Sequence, residues 1–390
     1  MIVDGTPKRF ATERAEARSH LIDELLRRIA GGARSIELCG EPTSFLAFVI
    51  AQLQHLTGRQ VVVITDREEA ARDLVEDLQF FCGPGNGLDP VVTLPQLDQN
   101  PYRQSAPARR EMMSLLAGLT RLNQGLEARV VVTTALACAR KTVPPSVLSA
   151  FADVVAKGEE LDRPAFLRRL VDGGYQSVSL VEDPGTFAVR GGLIDVYSPL
   201  YPNPMRIDLF GDEVESIRFF ETETQRTCGD IDEAYVGPVR EVLLLDKTTA
   251  IERRLRELAD RLELPSSTIR RLLDDLRHEI YFFGIESLLP AFHEQLQPMV
   301  AHIPADAIWI TIDGDRFAST IDGFRDNLES EYADAVQEQQ LCYAPDDLFS
   351  SGSQLDEQLQ RETIQRISLK PFQIGDDTEA LRLDAERLDP

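Results

Sequence analysis

D-P-G-T-F-A-V-R-G-G-L-I-D-V-Y (residues 183–197), P-M-R-I-D-L-F-G-D-E-V-E-S-I-R-F-F (204–220) and E-T-E-T-Q-R-T (221–227) follow closely in the middle of a 390-residue chain. Residues 187–197 are an apolar run interrupted by Gly191-Gly192. That predicts two short strands around a bend or bulge, because glycine inside a strand weakens pairing and permits the turn. Residues 205–210 and 213–220 flank Gly211-Asp212. Glycine first in a two-residue loop is the chemistry of a type II′ hairpin turn, whose first position has positive φ.

A two-residue turn fixes the pairing. It sets Phe210 opposite Glu213, Asp208 opposite Glu215 and Arg206 opposite Ile217. Side chains alternate along a strand, so Ile207, Leu209 and Val214 share the face that builds a core. Arg206, Asp208 and Phe210 share the other face with Glu213 and Glu215. A phenylalanine beside an arginine on a polar face admits two readings. In one, a helix or loop covers Phe210, and Arg206 offsets Asp208 and Glu215. In the other the pair is a docking face, since an aromatic with Arg is the composition of interface hot spots.

The motifs R-G-G (190–192), R-I-D-L-F-G-D-E (206–213) and T-Q-R (224–226) resemble the signature shared by the UvrB excision-repair protein and the transcription-repair coupling factor (Mfd). The match is long and nearly gapless, and far more specific than an isolated glycine motif. In that family the region is a small domain that docks onto UvrA, the damage sensor. The resemblance implies that Arg190, Arg206 and Phe210 contact UvrA, which favours the docking reading at those positions. Their joint use requires the Gly191-Gly192 bend to bring Arg190 beside Arg206. Arginine suits such a contact because its planar fork meets a carboxylate in two parallel bonds. Lying off the core face, Arg206 and Phe210 are expected to be replaceable without loss of the fold.

Length allows two or three domains with sizeable cores. The hydrophobic share of 43% and charged share of 27% are those of an ordinary globular protein. Lys+Arg 41 against Asp+Glu 65 gives a net charge of -24, which repels phosphate backbones and argues against a broad nucleic-acid footprint. Cys39, Cys82, Cys138, Cys228 and Cys342 have no C-x-x-C spacing, so neither a zinc knuckle nor a redox motif is indicated. Scattered cysteines in odd number fit a reducing cytoplasm. The N-terminus lacks the apolar core of a signal peptide and no run reaches membrane-spanning length. A soluble, cytoplasmic protein is expected.

Taken in order, residues 11–30 read as an amphipathic helix and 35–39 as a strand entering Gly40. A helix follows at 44–57, a buried strand at 60–65, and a helix at 67–81 with Asp66 as its N-cap. A strand at 91–94, a helix at 109–122 and a strand at 128–134 complete the pattern. Val-rich strands alternating with helices mark a parallel sheet covered on both faces. Residues 1–150 are therefore expected to be the first part of a RecA-like α/β domain of P-loop NTPase type. Pro144-Pro145 breaks the pattern. Residues 151–240 then read as an inserted α+β domain, with a strand at 151–155, a helix at 163–172 and a strand at 175–181 before the hairpins. Two amphipathic helices (248–262 and 267–278) and the apolar stretch 281–292 precede a strong buried strand at 304–313, which is assigned back to the first sheet. Residues 241–345 thus form the second part of the RecA-like domain. Polar helices follow at 316–340 and beyond 350–353. Residues 346–390 read as a polar linker or the start of a further domain, with a strand starting at 367–372 and an acidic end without an evident packing partner. The family resemblance fades after about residue 345.

A strand, Gly40 and a helix are where a phosphate loop of the form G-x-x-x-x-G-K-[ST] would sit. Counting from Gly40, Phe45 stands for the second glycine, Leu46 for the lysine that meets the β/γ-phosphates and Ala47 for the hydroxyl that meets Mg²⁺. Glu41 adds like charge, and Pro42 removes one N–H from the cradle. After the strand at 308–312, where a helicase places Asp-Glu, the pair is Asp313-Gly314. Two complementary failures predict a degenerate nucleotide site with no catalytic residue. His20, His55, His278, His293 and His302 show no metal spacing, so no metal or cofactor is expected; His278 and His293 read as structural and Trp309 as core. This departs from UvrB and agrees with the N-terminal part of the coupling factor, in which motor domains and contacts with RNA polymerase and DNA lie elsewhere in a longer chain. The expectation is a non-enzymatic adaptor that recruits UvrA, carried on a fragment or a short paralogue. Its rivals are an ATP-dependent UvrB-like remodelling protein, opposed by the triplet Phe45-Leu46-Ala47, and a DNA-binding module, opposed by the net charge.

Overall fold

The computed structural model describes residues 20–85, 87–97, 100–103, 109–243, 248–277, 285–361, 364–371 and 380–383. The start of the helix expected at 11–30, His278 and the first part of the 281–292 stretch lie outside the described residues. Strands β1 (Ser35–Cys39), β2 (Val61–Thr65), β3 (Val91–Thr93) and β4 (Val130–Thr134) alternate with the helices Ser44–Thr57, Glu68–Cys82 and Arg109–Asn123, as the apolar spacing predicts. The first of these helices is closed at both ends by its own sequence. Thr43 Oγ1 accepts from the Phe45 N–H at 3.3 Å, and Gly58 ends the helix in the left-handed region at φ 66. The second has no capping side chain. Arg67 takes the cap position, while Asp66, expected there, pairs with Arg67 at 3.7 Å and Arg316 at 3.9 Å.

After β4 the chain leaves this sheet. β5 (Lys141–Thr142) forms a small ribbon with β14 (Gln297–Pro298), and β6 (Asp153–Ala156) another with β13 (Glu233–Val236). The strand expected at 151–155 starts later because Phe151 still belongs to the helix Pro145–Phe151, which is entered by a proline preorganised for a first helical turn. Helix Arg163–Asp172 is capped by the Asp162 carboxylate. A second sheet follows: β7 (Gln176–Ser177), β8 (Thr186–Arg190), β9 (Leu193–Val196), β10 (Met205–Phe210), β11 (Glu213–Phe220) and β12 (Thr227–Ile231), in the order β12-β11-β10-β9-β8-β7. Only two residues of the strand expected at 175–181 pair. Tyr175 is instead drawn into the core, its hydroxyl donating to the Gly237 carbonyl at 3.0 Å.

The chain returns as β15 (Ile308–Ile312), β16 (Gln365–Lys370) and β17 (Leu381–Arg382). Among the described residues seven strands form one parallel sheet, ordered β17-β1-β16-β15-β2-β4-β3. Within the stretch read as a polar linker or the start of a further domain, the described strands β16 and β17 thus join this sheet. β16 lies between β1 and β15, and β17 borders β1, because Ile367 and Leu369 alternate into the same core as Ile36 and Leu38. The sheet is buried on both faces by period-two alternation. Val61, Val63, Val130, Val132, Ile308 and Ile310 feed one core, beneath the helices Ser44–Thr57 and Glu68–Cys82. Val62, Ile64, Val131 and Trp309 feed the other, beneath helices Arg109–Asn123, Phe317–Gln337 and Gly352–Leu359. The second sheet has a core of its own, built on Phe166, Ile194, Met205, Ile207 and Ile217, which also takes in Met113 and Ala117 of helix Arg109–Asn123.

Candidate functional site

Pairing across the second sheet settles which side chains share a face. Arg190 pairs with Leu193, Leu193 with Asp208, and Asp208 with Ser216. Cross-strand partners point to the same side, so Arg206, Asp208 and Phe210 stand on one face, as parity predicts, and Arg190 stands on that face with them. Ile207, Leu209 and Val214 are buried on the other. Gly211 opens the hairpin turn at φ 68, the conformation the Gly-first loop requires. The expected register holds at Phe210–Glu213 and Leu209–Val214. The register shifts between Asp208 and Leu209, so Asp208 faces Ser216 and Arg206 faces Arg218. The bulge keeps both Val214 and Ile217 in the core, although they are three positions apart and simple alternation would put them on opposite faces.

Phe210 is 79% exposed; no helix or loop among the described residues covers it. Arg190 is exposed as well, and its Nη2 donates to the Ser179 carbonyl. It does not come beside Arg206. The bend leaves them on the same face with β9 between their strands, about 10 Å of sheet at the usual strand spacing.

Arg206 departs most from expectation. Its Nε and Nη2 donate to Asp195 Oδ1 and Oδ2 at 2.7 and 2.9 Å, the two-bond fork expected for a partner carboxylate. Side-chain exposure is 21% for Arg206 and 4% for Asp195. The guanidinium lies 4.6 Å from the centre of the buried Phe220 ring, and Nη2 also reaches Gln225 Oε1 at 3.5 Å. Hydrogen bonding to Asp195 holds the guanidinium pKa above its usual value, against the opposing effect of burial. Arg206 is therefore built into the fold, and its removal strands a buried carboxylate. Beside it Arg218 donates to Asp208 at 3.2 Å. Gln225, of the T-Q-R motif, sits in the left-handed region at φ 58, with Nε2 donating to the Thr222 carbonyl at 2.9 Å.

Asp195, Phe220 and Gln225 are the residues sequence reasoning missed. One signal was present. An aspartate in the apolar run L-I-D-V, with apolar neighbours on both sides, demands a buried cation, and the hairpins place an arginine opposite it.

The loop after β1 has its own geometry. Phe45, Leu46 and Ala47 are all buried in the core beneath helix Ser44–Thr57. Gly40 has φ 150, and a Cβ placed there would lie 2.7 Å from the Leu383 carbonyl oxygen. Leu383 donates its N–H to the Cys39 carbonyl at 2.8 Å and is itself buried. The chain's own last described residue thus closes over the glycine where a phosphate would approach. Lys370, at the end of neighbouring β16, is engaged by Glu37 at 3.4 Å and Asp315 at 3.5 Å. Asp313 adopts the left-handed conformation at φ 55, and burial, reinforced by Asp66, raises its carboxyl pKa. These groups do not fit a nucleoside triphosphate with its metal. Among the described residues no cluster of His, Cys, Asp or Glu is placed to hold a metal ion, and no helix is long and apolar enough to cross a membrane.

Comparison with known proteins gives one family match and a set of similar chains. Residues 154–241 match the UvrB interaction domain, a span that takes in β6 only from its second residue, the whole second sheet and β13. The chain is 38% identical over 323 residues to a transcription-repair-coupling factor of Myxococcus xanthus, covering 80% of this chain and 27% of the relative. It is 29% identical over 267 residues to that of Bacillus subtilis, covering 68% and 21%. It is 28% identical over 321 residues to that of Escherichia coli, covering 80% and 27%. The chain spans about a quarter of the length of these curated relatives. By this domain match and these relatives, the chain corresponds to the N-terminal, UvrB-homology region of the bacterial transcription-repair-coupling factor family.

Proposed function

We propose that this chain is a non-catalytic adaptor of transcription-coupled nucleotide excision repair that recruits UvrA through the outer face of its second sheet. The observation that carries the reading is Phe210, 79% exposed at the tip of a hairpin whose other face is buried, inside the matched domain. A large aromatic held in water on a rigid strand, with arginines on the same face, is the composition of an interface hot spot. In this reading Phe210 is the apolar anchor, and Arg190 and Arg206 supply hydrogen bonds around it. Residues 151–240 form the docking domain, inserted into a RecA-like unit made of residues 1–150 and 241–345 and completed by β16 and β17. That unit serves as a scaffold. The burial of Phe45, Leu46 and Ala47 and the closure of Leu383 over Gly40 support a nucleotide site that no longer works. Any ATP-driven movement on DNA, and contacts with RNA polymerase and DNA, would belong to parts of longer relatives that this chain does not match. The setting would be the cytoplasm.

Calorimetric titration of UvrA tests the reading. The parent chain is expected to bind, and Phe210→Ala to weaken binding by about 2 kcal/mol, roughly thirty-fold. Undiminished binding by that variant overturns the docking face. A fluorescent ATP analogue with Mg²⁺ is expected to give no saturable binding; low-micromolar saturation would favour the rival, an ATP-dependent UvrB-like protein.

A further inference from the structure

We propose that Asp195, Phe220 and Gln225 are positioning residues that hold Arg206 so that it meets its partner end-on, through the Nη1 group alone, with a single oxygen acceptor. The inference rests on the docking reading above. The side-on edge of the guanidinium is already filled, Nε and Nη2 donating to Asp195 at 2.7 and 2.9 Å. Its guanidinium carbon lies over Phe220, 4.6 Å from the ring centre, where a cation–π contact favours one placement. Nη2 reaches Gln225 Oε1 at 3.5 Å, and Gln225 is itself fixed by its bond to the Thr222 carbonyl. Among the described residues Nη1 has no partner, so its two N–H groups are what Arg206 has left to offer.

Arg206 cannot easily exchange Asp195 for a partner carboxylate. Asp195 is buried at the register position facing Arg206, and neighbours Ile194 and Val196 are packed into the core. Leaving its carboxylate unpaired there costs more than an ion pair at a docking rim returns. Asp195 also cancels most of the Arg206 charge. The group presented is thus a fixed, nearly neutral donor, suited to an acceptor such as a backbone carbonyl beside the pocket that takes Phe210. Fixing it in advance lowers the side-chain entropy lost on binding.

The experiment is calorimetric titration of UvrA into the full chain and its Asp195→Asn, Phe220→Leu and Phe210→Ala variants, with the Arg206 Nε–H followed by ¹H–¹⁵N NMR. Asp195→Asn is expected to lose the slowly exchanging Nε–H signal, to keep the dispersed amide spectrum of the fold, and to bind UvrA roughly tenfold more weakly. Phe220→Leu keeps apolar volume, loses the ring face, and is expected to bind several-fold more weakly. Equal or tighter binding by Asp195→Asn overturns the proposal, tighter binding being the result if the fork must be released to meet UvrA. If Asp195→Asn does not fold, Phe220→Leu decides: unchanged binding overturns the proposal. Weak binding by Phe210→Ala alone leaves the docking reading standing and sinks only the positioning role. Undiminished binding by Phe210→Ala sinks both.

Discussion

Arg206 and Phe210 are two residues apart on one face and should respond oppositely to truncation. Arg206→Ala strands the Asp195 carboxylate, which is only 4% exposed, and is expected to cost about 3 kcal/mol of stability. Phe210→Ala removes a side chain that touches mostly water and should stay within about 0.5 kcal/mol of the parent. Urea unfolding of both variants checks this, and equal stabilities would contradict the buried pair. A second residue-scale device is His302. It is buried, with Nε2 placed 2.9 Å from Thr142 Oγ1 and Nδ1 placed 2.8 Å from Asn123 Nδ2. Because the asparagine nitrogen donates, Nδ1 accepts and Nε2–H donates, so the ring is satisfied when neutral. Burial lowers its pKa from 6.5 to about 4. The unfolded chain therefore binds the proton more readily than the folded one between those values. The stabilisation is complete above pH 6.5, falls as pH drops toward 4, and amounts to about 2 kcal/mol already lost at pH 5. His302→Gln should flatten that slope between pH 7 and 5; an unchanged slope would assign the acid sensitivity elsewhere.

At the scale of elements, the short strand β17 does more than extend the sheet. It brings Leu383 over Gly40, so a backbone neighbour alone suffices to require glycine there. Gly40→Ala would force a left-handed backbone and a 2.7 Å approach to the Leu383 oxygen. The expected loss is about 2 kcal/mol, measured by thermal melt, with Leu383 leaving the core. If Gly40→Ala melts like the parent, β17 is not seated there in solution. The hairpin β10–β11 carries a comparable lesson. Its turn follows the Gly-first rule, but its bulge re-registers Arg206 against Arg218. One face of the hairpin is specified by Ile207, Leu209, Val214 and Ile217, and the bulge lets them all reach the core.

For the whole molecule, the question is how far the second sheet stands alone. It is bounded by β6 and β13, which pair with each other, so the two chain crossings lie side by side. Inserted units with such ends carry their own core. Residues 150–240 expressed alone are expected to give a dispersed amide spectrum. Loss of Met113 and Ala117, which pack into that core from helix Arg109–Asn123, is expected to lower stability by about 1–2 kcal/mol relative to the same unit in the full chain. A collapsed spectrum would place the boundary elsewhere. The buried ion pair of Arg140 with Glu241, at 2.6 and 2.5 Å, clamps the exit of this unit to the parallel-sheet body.

Sequence by itself determined the alternation of Val-rich strands with helices, the hairpin around Gly211-Asp212 and the face that Phe210 occupies. These are local or periodic properties, written in glycine φ requirements and in apolar spacing. It also determined that Phe45, Leu46 and Ala47 offer no phosphate ligand, since that follows from side-chain chemistry alone. Only the tertiary structure decided that Asp195 takes the Arg206 fork, that Asp208 faces Ser216, and that Gln365–Lys370 and Leu381–Arg382 join the sheet begun by Ser35–Cys39. Each depends on how separate strands pair or on a one-residue shift of register. Side-chain periodicity alone cannot say which parallel neighbour a polar-flanked strand will find, because any edge of the sheet offers the same backbone hydrogen bonds. What selects the neighbour is the fit of Ile367 and Leu369 into a core that exists only once the chain has folded.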